Sequence, residues 1–128
     1  MFLKRKLVIA LGVCLALAQA CRHQNEPMSD LILTHEVSPQ PPRVGLSTIR
    51  FRVADASGKP ATGLRIKLEG NMSHAGMSPV FAVAKEVEPG QYSSTMELSM
   101  AGDWYFVVRM TLADGRTLER QFEIKGVK

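Results

Sequence analysis

Apolar side chains recur at every second position in several separate stretches of this chain, and a period of two marks strands that bury one face and leave the other wet. Ile49, Phe51 and Val53 are separated by Arg50 and Arg52, and Leu64, Ile66 and Leu68 interleave with Arg65 and Lys67. Leu118, Phe122 and Ile124 share one parity while Glu119, Gln121 and Glu123 take the other; Arg120 interrupts the apolar face and reads as a side chain snorkelling at its edge. The most apolar and aromatic run, Trp104 to Leu112, sets Trp104, Phe106, Val108, Met110 and Leu112 on one face and predicts a central strand. Weaker strands are expected over 31–37, 80–87 and 91–98. Turn residues separate them at Pro39 to Pro42, Asp55-Ala56-Ser57-Gly58, Glu88-Pro89-Gly90, Ala101-Gly102-Asp103 and Ala113-Asp114-Gly115. Asp114-Gly115 lies between two alternating runs and predicts a hairpin. No comparable stretch carries a sustained helical period. The pattern predicts an all-β fold, an immunoglobulin-like β-sandwich of about seven antiparallel strands over residues 31–128.

The N-terminus follows different rules. Lys4-Arg5-Lys6 precedes an apolar run from Leu7 to Ala18 and then Ala18-Gln19-Ala20, the order of a secretory signal peptide over residues 1–20. At ~1.5 Å per residue the run spans roughly 18 Å, short of the ~30 Å of a bilayer core, which argues against a permanent transmembrane helix. Cleavage after Ala20 would leave Cys21 first, and Leu17-Ala18-Gln19-Ala20-Cys21 is similar to a lipobox, with Cys21 as the lipidated residue. Two or three acyl chains, at ~0.8 kcal/mol per buried CH₂, would hold the protein at a membrane. Residues 21–30 are polar and aperiodic, as a flexible tether would be. The expected location is the cell envelope, on the periplasmic side of a bacterial membrane.

Charge adds an exclusion. Of 16 Lys and Arg against 12 Asp and Glu, Lys4, Arg5 and Lys6 leave with the signal, so the exported chain is close to neutral and has no case for a nucleic-acid partner. Cys14 would leave too and Cys21 is terminal, so the fold rests on its apolar core without a disulfide. Trp104 and its neighbours must fill the space that a disulfide takes in antibody domains.

No Gly-rich phosphate loop, Gly-x-Ser-x-Gly elbow, catalytic Cys or His-Glu-x-x-His helix is present, and the reading is that the protein is not an enzyme. One segment does carry coordination chemistry: Gly70-Asn71-Met72-Ser73-His74-Ala75-Gly76-Met77-Ser78-Pro79 joins two of the expected strands. Two thioethers and an imidazole stand in the order Met72-x-His74-x-x-Met77, with small residues between them that let the backbone turn tightly. Thioether sulfur is soft and never needs deprotonation, which suits Cu(I) over Zn(II) or Ca(II). Methionine is also a gap filler that caps cores, and a lone His in a polar loop is equally served by solvent. Met96 and Met110 read as strand or core residues; Met100, before the turn to Trp104, is placed at the same end as the loop. His23 and His35 have no soft partner nearby and read as solvated.

Several short segments, taken in order, carry a resemblance. They are Pro42-Arg43-Val44-Gly45, the stretch Phe51 to Leu64, the Met72 to Met77 loop, Glu88-Pro89-Gly90-Gln91-Tyr92 and Met100-Ala101-Gly102-Asp103-Trp104-Tyr105. Together, over about residues 31–125, they resemble the YtkA-like domain family and its relatives in the FixH group. The resemblance implies an immunoglobulin-like sandwich in exported bacterial proteins, often lipoproteins, with a part in copper handling or oxidase assembly. It also implies a Met-rich or His-rich loop between the third and fourth strands, where Met72, His74 and Met77 fall. The expected function is a membrane-tethered envelope lipoprotein domain that binds Cu(I) at these three residues, with Met100 and Trp104 as outer neighbours. The alternative is an immunoglobulin-like module that docks on an envelope protein and takes no metal.

Overall fold

The computed structural model describes residues 31–74 and 76–128. The expected signal peptide (1–20), the tether (21–30) with Cys21, and His23 lie outside them. Seven strands follow in chain order: β1 (Ile32–Ser38), β2 (Gly45–Ala54), β3 (Arg65–Met72), β4 (Val80–Glu88), β5 (Gln91–Leu98), β6 (Gly102–Thr111) and β7 (Thr117–Val127). All neighbouring pairs are antiparallel, in the order β1-β2-β5-β4-β3-β6-β7. The protein is an all-β, immunoglobulin-like sandwich. Among the described residues no helix is long and apolar enough to cross a membrane.

The two layers share one strand. Ala84 and the residues before it on β4 pair with β3, whereas Lys85, Glu86 and Glu88 pair with β5 across a register shift. β4 thereby closes one side of the sandwich. On the opposite side β1 and β7 are the free edges, and the His35 ring bridges them by stacking on Phe122, with centroids 4.0 Å apart. The expectation of a fully solvated His35 is therefore corrected on one ring face: the imidazole stays exposed on the other.

The alternating residues meet in the middle. Ile49, Phe51, Val53, Tyr92, Met96 and Leu98 face Ile66, Leu68, Trp104, Phe106, Val108 and Met110 in a core whose members are all at most 2% exposed. Each such side chain contributes about 1.5–3 kcal/mol on burial. β6 is flanked by β3 and β7, as its apolar run predicts. Its limits differ slightly from expectation. It begins at Gly102, inside the expected turn, because Gly102 pairs with Val127 before a bulge. It ends at Thr111, so Leu112 leaves the apolar face: its N–H donates to the Arg116 carbonyl and closes the Asp114-Gly115 hairpin.

Candidate functional site

One end of the sandwich gathers the end of β3, the β3–β4 loop, the β5–β6 turn and the start of β6. Met72 is the last residue of β3 and not part of the loop; it pairs across the ladder with Trp104. Its parity is that of Ile66, Leu68 and Gly70, so its side chain points inward and is 6% exposed. His74, two residues later, is exposed. Met77 is half-buried against the core. Gly76, with φ +84°, supplies the left-handed turn that brings the chain back.

Gly102 joins two of these side chains. A Cβ at Gly102 would lie 2.9 Å from the Met72 methyl and 3.9 Å from His74 Nε2, so both groups converge on the space that this glycine leaves open. Gly102 also adopts φ +127°, which favours glycine. In the sequence it reads only as a turn residue; the Met-Ala-Gly-x-Trp order was the signal that it does more. Met100 is 44% exposed, and its carbonyl accepts a hydrogen bond from Trp104 Nε1 at 3.0 Å. The two expected outer neighbours are thus tied to each other, with Trp104 itself buried. Asp103 steadies the same end from outside, its Oδ1 accepting the Gly126 N–H at 2.8 Å.

The chemistry of this end is soft. Among the described residues no group of three or more His, Cys, Asp or Glu side chains is arranged to hold a metal ion. The available donors are thioether sulfurs and one imidazole, a set suited to Cu(I). Ser47, near the start of β2, is buried and its hydroxyl has no hydrogen-bond partner among the described residues. Sequence reading gave no hint of it, because a serine on the inward parity of β2 looks the same whether or not it finds a partner.

The other motifs of the resemblance have structural causes. Gly90, with φ +72°, turns β4 into β5 beneath Pro60. Tyr92 is buried, and its hydroxyl donates to the Ala61 carbonyl at 2.8 Å and accepts the Leu64 N–H at 3.1 Å. Glu86 accepts the Gly63 and Gly90 N–H groups at 3.2 and 3.1 Å, and these bonds, the Gly90 one foremost, hold its pKa below the usual carboxylate value.

The chain is similar in structure to the soluble domain of PmoD from Methylocystis sp. ATCC 49242 (Rockwell), with 17% identity, 75% of this chain and 90% of that chain covered, and a TM-score of 0.47. MtrC from Shewanella baltica OS185 is similar at 13% identity and a TM-score of 0.44; 76% of this chain is covered, but the chain spans only 22% of MtrC. Among curated proteins none matches. The model of the YtkA-like family matches residues 33–109, more than half of the chain, and the protein belongs to that family.

Proposed function

We propose that this YtkA-like protein is a lipid-tethered domain of the bacterial envelope, held on the periplasmic side by Cys21, that binds Cu(I) through Met72, His74 and Met77 and buffers it or passes it on. The observation that carries the reading is the approach of the Met72 methyl and His74 Nε2 to the same opening above Gly102. The Met72 sulfur is one bond behind that methyl, and rotation about its Cγ–Sδ bond swings the methyl aside and turns a sulfur lone pair toward the opening. Met77, half-buried against the core at the other end of the loop, is the third donor of this reading. A site without a thiolate exchanges its ion readily, which suits a carrier. Imidazole binds metal only when neutral, so acid weakens the site.

A second reading, a metal-free module docking on an envelope protein, draws on the exposure of Met100 and the partial exposure of Met77 at this end. One variant separates the two. Changing Met72 and Met77 together to Leu keeps apolar volume, at a cost below about 1.5 kcal/mol each, and removes both sulfurs. Titration with Cu(I) against a competing chelator is expected to give one ion per wild-type chain and at least about a tenfold loss of affinity in the variant, equivalent to about 1.4 kcal/mol. Unchanged binding would locate the ion elsewhere, and no binding by the wild type would leave the docking reading.

A further inference from the structure

The outer face of the β4-β3-β6 layer lies far from the Met/His end in chemistry and is unusual for a solvent face. Phe81 and Val83 on β4 are 71% and 61% exposed, and Tyr105 on β6 is 38% exposed. Between them, on β3, stand Lys67 and Glu69. A hollow of about 250 Å³ runs along β3, bounded by Phe81 on one side and by Val107 and Arg109 on the other. A two-fold contact of this face with itself requires that each residue on it meet a complementary residue of the other copy.

We propose that this face is the contact between two copies of the chain, related by a two-fold axis that crosses β3 between Lys67 and Glu69. The charges select that axis. Lys67 makes no ion pair among the described residues, and Glu69 is met only by the Asn71 side-chain amide at 3.2 Å. The adjacent Arg109 is already satisfied by Glu119 at 3.0 Å. An axis across β3 sets Lys67 of each copy against Glu69 of the other, forming two ion pairs from charges that are otherwise unmatched.

The ladder then decides what happens to the apolar residues. Phe81 pairs with Glu69 and Val83 pairs with Lys67 across the β3–β4 register. The same axis therefore lays Phe81 of each copy on Val83 of the other. An axis running along β3 would instead face Lys67 with Lys67 and Glu69 with Glu69, and like charges in direct opposition are repulsive. The favoured arrangement matches apolar with apolar and acid with base at every one of these four positions. A contact of mixed charge on an otherwise solvated face supports a weak dimer, weakened further by salt.

Equilibrium sedimentation of the whole protein as the cell produces it, in a density-matched mild detergent, tests the contact. Wild type is expected to dimerise reversibly, less at high salt. Phe81→Ser is expected to raise the dissociation constant about tenfold or more, and Lys67→Glu and Glu69→Lys each to abolish dimerisation. All three positions are solvent-facing, and thermal unfolding checks that the variants fold. Mixing Lys67→Glu with Glu69→Lys is expected to restore a dimer of one copy each, because both ion pairs re-form, one with its native sign and one reversed. A wild type that stays monomeric to near-millimolar concentration would overturn the proposal and leave the face to a different protein. A dimer that survives Phe81→Ser, or a charge-reversed mixture that stays monomeric, would overturn it as well.

Discussion

Gly90 and Gly102 have left-handed backbones and crowded surroundings, but the crowding differs in kind. A Cβ at Gly90 would lie 2.7 Å from Pro60 Cβ and 2.8 Å from the Val53 carbonyl oxygen, both held by the β2–β3 connection. At Gly102 the close atom is the free end of Met72, which can move aside. Left-handed strain costs about 1–2 kcal/mol in either place, and overpacking against fixed atoms adds about 1–3 kcal/mol. Gly90→Ala is therefore expected to lose more than about 2 kcal/mol of stability in urea unfolding, and Gly102→Ala about 1–2 kcal/mol. Equal losses would mean that the surroundings of Gly90 relax as easily as a methionine side chain. The sequence marked both as turn glycines; the atoms above each could not be read from neighbours along the chain, because Val53 and Pro60 reach Gly90 only through the fold.

On strand β5, Tyr92 ties down a connection as well as filling the core. Its hydroxyl binds both the Ala61 carbonyl and the Leu64 N–H, so one side chain pins the long β2–β3 connection against the sheet, with Glu86 holding Gly63 beside it. Tyr92→Phe keeps the ring but leaves the carbonyl and the N–H without their partner, an expected loss of about 1–3 kcal/mol, measured by chemical denaturation. A loss near zero would mean that water replaces the hydroxyl. Legibility from sequence varied among the strands for a physical reason. β2 and β6 keep one face to the core along their length, and their alternation is plain. β4 changes partners midway and exposes Phe81 and Val83, so its apolar residues do not mark its inward face.

The whole sandwich is closed on one side by the crossing of β4 and on the other by side chains, among them the stack of His35 on Phe122, and by backbone hydrogen bonds that join Pro42 and Val44 to Lys128. Partial burial lowers the His35 pKa from its ordinary value, since desolvation disfavours the charged ring. The sign of the pH effect follows. The unfolded chain takes up this proton near pH ~6.5, whereas the folded chain resists it until lower pH. Stability is expected to fall as the pH drops through that value and to level off below the folded pKa, with no contribution from this group at higher pH. Thermal unfolding between pH 5 and 8 checks it: His35→Gln is expected to flatten the slope across this window, and an unchanged slope would assign it to another group.

By itself the sequence determined the all-β class, the strand count, most turn positions and the Met/His segment, since a period of two and turn residues such as Asp114-Gly115 act locally. Which strands became neighbours, the sharing of β4 between two layers, and the meeting of Met72 and His74 above Gly102 were decided only in the tertiary structure. The reason is that an alternating pattern specifies which face is buried but not what it is buried against. Met72 illustrates the difference: its parity fixes it inward, whereas its proximity to His74 depends on the β5–β6 turn bringing a residue without a side chain beneath both.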